Sequence, residues 1–181
     1  MKLPEGRLRR SRAVTDPGTA LSNALDRRLT GYAILEPQDA LLLDGDGVGV
    51  VTFENGVPVL AYHTGTDRGG PEALADLAAS GPYWLELYAV DPAALESLHE
   101  TPALCVPPAM PADRLGDTDL AERTRRHAPD DRIADAAAAD SLAPVEAFLD
   151  DEAKIEHIRE RAREEAAARA EEWGFTDAVD D

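Results

Sequence analysis

Asn55-Gly56 sits between two apolar runs, Val48–Glu54 and Val57–His63. Asn and Gly tolerate the two successive positive-φ positions of a type I′ turn, whose twist matches that of paired strands, so the spacing predicts a tight β-hairpin. Pro58 has no N–H to give to a ladder, which places its nitrogen at a sheet edge or at the start of its strand. Around the hairpin, Tyr32–Leu35 and Ala40–Leu43 are short apolar runs separated by a turn at Glu36-Pro37-Gln38-Asp39. Tyr83–Val90 is a further strand, with Trp84 and Tyr88 on one face and Leu85 and Leu87 on the other.

Three helices are expected among these strands. Leu21, Leu25 and Leu29 recur every four residues along Thr19–Leu29. A second helix starts at Pro71-Glu72, where proline loses no hydrogen bond, turns Leu74, Leu77 and Ala78 inward, and stops at Ser80-Gly81-Pro82. Pro92–Glu100 is a short third. The expected fold class is α+β: a small antiparallel sheet with the Asn-Gly hairpin, packed on two or three helices and followed by a helical C-terminal extension.

Prolines 102, 107, 108 and 111 mark residues 102–114 as an extended connector and end the α+β domain, read as 19–101. Beyond it, in 115–181, Asp117–His127 and Asp131–Ala139 are short helices split by Pro129; Pro144–Leu149 and a long helix over 151–173 follow, with an acidic tail at 174–181. Ile155, Ile158, Ala162, Ala166, Ala170 and Trp173 form one stripe of the long helix. Rich in alanine, it is too small for a core of its own, which makes Ile155, Ile158, Ala162 and Trp173 candidates for docking or self-association. Gly174 stands where a C-terminal glycine cap belongs.

The chain has 181 residues, with 36 acidic against 18 basic side chains and a net charge of −18. Such a charge weakens a compact state unless salt screens it, and near 1 M the Debye length is only about 3 Å. Lys2 and Lys154 are the only lysines; this usage and the acidity point to a salt-adapted cytoplasm. The charge is uneven: residues 1–28 carry +4, residues 29–101 carry −11 and residues 102–181 carry −11. The first 18 residues read as a basic arm whose Arg7, Arg9, Arg10 and Arg12 can dock on the acidic body, meet a protein partner or touch nucleic acid. No aromatic stacker lies among them and the rest of the chain repels phosphate, so nucleic acid is the weakest of the three.

Chemistry-bearing motifs are sparse. Cys105 is alone, which excludes an intramolecular disulfide and fits a reducing compartment. No apolar run approaches the ~20 residues of a membrane span. Arg9-Arg10 is followed by Arg12, Asp16 and Pro17 where an export signal needs an apolar stretch. His63, His99, His127 and His157 have no metal-ligand spacing. Asp44-Gly45-Asp46-Gly47 opens like a calcium loop, but Val48 stands at its fifth position and Asn55 at its twelfth, where a bidentate glutamate is needed. Gly65 to Gly70 has a phosphate-loop interval but ends in Pro71-Glu72. No cofactor or metal is implied. His63 with Asp67 and Arg68 is the one loop that could form an acid–base unit, and no nucleophile neighbours it in sequence.

From Leu21 to Val90 the order of features resembles the PATAN-type domain. Leu25 and Leu29 lead to Gly31-Tyr32-Ala33-Ile34-Leu35; Phe53-Glu54-Asn55-Gly56 continues to Ala61; and Gly70-Pro71-Glu72-Ala73-Leu74 resembles that family's helix start. The resemblance implies a small α+β domain for protein–protein interaction in signalling, with no catalytic residues to transfer. Receiver, forkhead-associated and tetratricopeptide segments, the usual company of that domain, do not occur in this chain. The whole chain also resembles an uncharacterised haloarchaeal family.

The favoured reading is a non-enzymatic interaction or adaptor module, partnered by another protein or by itself and not inserted in a membrane. The alternatives are a small enzyme built around His63 and Asp67, and a nucleic-acid-associated protein using the basic arm.

Overall fold

The computed structural model describes residues 2–38, 47–79 and 82–138. Two compact units divide the chain, Met1–Ala136 and Ala137–Asp181. In the first the elements run β1 (Arg7–Val14), α1 (Gly18–Asp26), β2 (Gly31–Pro37), β3 (Gly49–Glu54), β4 (Val57–His63), β5 (Arg68–Gly69), α2 (Gly70–Ala79), β6 (Tyr83–Ala89), α3 (Glu96–His99), α4 (Met110–Leu115) and α5 (Thr118–His127). The strands form one six-stranded antiparallel sheet in the order β1-β6-β2-β3-β4-β5. The fold is α+β.

Side chains alternate across a strand, so each one offers every second residue to the same layer. Ala33 faces both Leu87 and Val51, and Val51 faces Ala61, giving an apolar row across four strands. With Leu35, Phe53 and Leu85 these residues are almost wholly excluded from solvent. Ala20, Leu21, Ala24 and Leu25 of α1, Leu74 and Leu77 of α2, and Ala112, Leu115, Leu120 and Ala121 of α4 and α5 complete that core. Each large side chain so buried contributes roughly 1.5–3 kcal/mol.

The hairpin forms as the dipeptide requires, with φ of 50° at Asn55 and 86° at Gly56. Gly56 also passes against the end of α1: a Cβ there would sit 2.7 Å from the Ala24 carbonyl oxygen, while its amide donates to Leu29 O at 2.8 Å. Gly31 permits an even closer approach, since a Cβ would lie 1.9 Å from Tyr88 O. Asp117 caps α5 by accepting the Leu120 amide at 2.8 Å, which stops the helix from starting earlier.

Two segments differ from the sequence reading. Residues 7–14 are not an arm but a sheet strand, paired with β6 from Arg7↔Ala89 to Val14↔Tyr83. Residues 102–114 are not a free connector: Leu60 bridges Cys105, the Val106 amide donates to Val59 O at 2.9 Å, and Val106, Ala109 and Ala112 are core residues. The compact unit therefore continues past the expected boundary at 101, because α4 and α5 cover the same apolar layer as α1 and α2. The turn expected at 36–39 begins later, since β2 runs through Pro37. Ala40–Leu43 and the long helix of 151–173 lie outside the described residues.

Candidate functional site

Three places hold the residues that can do chemistry or binding, and they are the two margins of the sheet and its outward face. At the β5 margin, His63 is buried at the end of β4. The Thr66 amide donates to its Nδ1 at 3.3 Å, and Thr66 Oγ1, 3.1 Å from the same nitrogen, donates to Asp76 Oδ2 at 2.6 Å. Asp67 turns the other way and accepts the Tyr62 hydroxyl at 2.5 Å; that bond, then burial and the carboxylate's charge, raise the Tyr62 pKa. Arg68 lies 3.7 Å from Glu72 and 3.6 Å from Asp76. His63, Asp67 and Arg68 thus each hold a different partner. The alternative His63–Asp67 pair does not form, and through Thr66 and Asp76 the loop ties the end of β4 to α2.

Next to it, sequence reasoning overlooked a cluster around the 102–106 segment. Arg132, in the helical stretch 130–138, donates to Pro58 O at 2.8 Å and to Val106 O at 3.0 Å. Burial lowers the Arg132 pKa, against the raising influence of Cys105, Glu54, Asp131 and Asp135. Cys105 Sγ lies 3.3 Å from His99 O and 3.4 Å from Thr101 O, and burial pushes its thiol up although Arg132 opposes this. A thiol so placed is a poor nucleophile. His99 Nε2 and Thr52 Oγ1 are 2.9 Å apart, a distance that suits a nucleophile and its base. Thr52, however, is 0 % exposed, so no substrate can reach the hydroxyl. Burial lowers the His99 pKa, Glu54 raises it and Arg132 lowers it further. A cleft of about 260 Å³ beside it is lined by Glu54, Glu96, His99 and Glu100 among others. Nothing in the sequence marks Arg132, which sits in a polar helix after Pro129. Among the described residues no group of three His, Cys, Asp or Glu side chains could hold a metal ion.

The opposite margin is β1. Seven of its eight residues are partly or fully exposed. Arg10 donates to Asn23 Oδ1 at 2.6 Å. Among the described residues, none of Arg7, Arg9, Arg10 and Arg12 pairs with a carboxylate. The outward face of β1, β6 and β2 carries Leu8, Trp84, Ile34, Tyr32 and Tyr88 around Glu86. Leu8 is 49 % and Trp84 43 % exposed, the two large apolar side chains left most open to solvent among the described residues. Tyr32 and Tyr88 stack with ring centres 5.0 Å apart, the Tyr32 hydroxyl donates to Pro4 O at 3.1 Å, and Tyr88 donates to Glu86 at 2.8 Å. That hydrogen bond, then burial and charge, raise the Tyr88 pKa; burial and Glu86 raise that of Tyr32. Of the other candidate interaction residues, Ile155, Ile158, Ala162 and Trp173 lie outside the described residues.

Fold and surface together define a compact α+β domain with an apolar-aromatic outward face and a basic edge strand. The chain belongs to the family described as Domain of unknown function (DUF8572), whose model matches residues 2–175. No curated protein and no solved structure matches the chain. Among the described residues, no helix is long and apolar enough to cross a membrane.

Proposed function

We propose that this chain is a non-enzymatic protein-interaction or adaptor module, suited by its charge to a salt-rich cytoplasm. The observation that carries the reading is the outward face of β1 and β6, where Leu8 and Trp84 stand half in solvent, Leu8 opposite Tyr88 of the stacked tyrosine pair and Trp84 four residues away along β6. Large apolar side chains left open on a well-packed domain are what protein interfaces use as anchors, tryptophan and tyrosine above all. The PATAN-type resemblance points to the same class. An enzyme at His63 is disfavoured because its ring, Asp67 and Arg68 are spent on three separate contacts.

A photo-reactive amino acid placed at Trp84 in the full chain, illuminated in cells kept at their native salt, is expected to yield one defined protein adduct. The same group at exposed Glu72 is expected to yield none. Equal, diffuse labelling from both positions would remove the outward face from the reading.

A further inference from the structure

We infer that the free margin of β1 is an acceptor for an added strand: an acidic, extended segment of a partner protein pairs alongside Arg10–Val14 and sets carboxylates against the arginines. The inference rests on the interaction-module reading and specifies how one partner is held.

Among the described residues β1 is last in the sheet and has β6 as its single neighbour. An edge strand presents unpaired N–H and C=O groups at the spacing of another strand. A register shift between Leu8 and Arg10 interrupts the strand at Arg9 and leaves Arg10–Val14 as an unbroken run, each residue matched to β6 from Leu87 to Tyr83. Arg10 and Arg12, two apart, fall on the same face of that run. Arg10 is partly held by Asn23, while Arg12 lines a groove of about 320 Å³ with Val14, Thr19, Gln38 and Pro82. An added strand with acidic residues at every second position would place one carboxylate near each guanidinium, and the groove has room for the side chain beside Arg12.

Charge selects among occupants. A second copy would bring its own four β1 arginines against these, so like charges disfavour self-pairing. A nucleic acid would meet the arginines but could not pair with the strand's backbone N–H and C=O groups as an extended peptide does. An acidic peptide satisfies both the backbone and the arginines, four of which fall within the six residues 7–12.

The test is fluorescence anisotropy of a labelled, end-blocked peptide of alternating Val and Glu with the full chain, at the lowest salt that keeps it folded. Saturable binding is expected, weakened about tenfold or more by N-methylation of alternate peptide amides, by Lys in place of Glu, or by Arg12→Glu in the protein. Circular dichroism of Arg12→Glu should match the parent, since Arg12 is exposed. Equal binding of the N-methylated peptide would overturn the strand pairing, and equal binding of the lysine peptide would overturn the acidic specificity. A single-stranded oligonucleotide that binds more tightly than the peptide and displaces it would reassign the edge to nucleic acid. Concentration-dependent dimers lost in Arg12→Glu would reassign it to a second copy. Absent peptide binding with the adduct at position 84 retained overturns the edge alone; absence of both overturns the module as well.

Discussion

The two margins of the sheet are built to opposite ends. On the β5 side the last strand is two residues long, and its arginine lies between Glu72 and Asp76. Beyond that strand, β4 is closed by the bridge to Cys105, the Val106 amide and the guanidinium of Arg132 on Pro58 O. On the β1 side the last strand is eight residues long, its arginines have no described carboxylate partner and nothing among the described residues pairs with its outer margin. Among the described residues, one edge is covered by a whole segment and the other is left uncovered. Sealing an edge is the ordinary protection against unwanted pairing; its one-sided use separates a structural margin from a recognition margin.

Four changes would break or sharpen this contrast. Gly31→Ala should cost about 3 kcal/mol or more, because a Cβ has no room beside Tyr88 O. As β2 is the strand that joins β6 to the rest of the sheet, hydrogen exchange should show protection lost first in β1 and β6. Uniform loss would mean that the open margin is not a separable ribbon. Arg132→Met should cost roughly 1–3 kcal/mol in urea unfolding by stranding the carbonyls of Pro58 and Val106, with faster exchange of the Val106 amide. An unchanged midpoint would show that Arg132 does not seal that margin.

A smaller, pH-dependent effect is expected from His99, whose backbone carbonyl lies against Cys105 at the sealed margin. Its folded pKa is lowered below the ordinary 6.5, so the unfolded chain takes up the proton first as pH falls. Its contribution is therefore neutral well above that value and destabilising below it, growing until the folded ring protonates too. His99→Gln should flatten the stability curve between roughly pH 7.5 and 5.5 relative to the parent; parallel curves would refute this. Smallest of all, Arg68→Ala should cost well under ~1 kcal/mol, since its ion pairs are long and mostly exposed. A larger loss by thermal unfolding would make the short β5 itself the seal.

What was legible in the sequence follows from which residues carry a period. Asn55-Gly56, Leu21 and Leu25 of α1 and the alternation in Tyr83–Ala89 are local signals with which tertiary structure agrees, while Leu29 lies beyond the helix, which ends at Asp26 before the positive φ of Arg28. β1 was not legible as a strand because Arg-Leu-Arg-Arg-Ser-Arg-Ala-Val buries only Val14, so a strand wet on both faces leaves no apolar rhythm. The 102–114 segment misled through its prolines. Its core residues Val106, Ala109 and Ala112, with Leu115 just beyond, recur every third position, a pattern that spans an extended stretch and then α4. At the candidate site, His63 and Asp67 are close in sequence yet diverge, since Tyr62 and His63 point to opposite faces of β4 and Asp67, at positive φ, bonds to Tyr62. Arg132 reaches Pro58 across 74 positions, a contact that no local pattern encodes.

The covered β4–β5 margin also fixes a valence. A sheet open at both edges can relay strand addition from molecule to molecule and so grow without limit. With one margin occupied by its own Cys105–Val106 segment, this domain can accept a strand but cannot pass the pairing on. It ends a ladder rather than propagating one, and any assembly joined through β1 has a stoichiometry set by the fold.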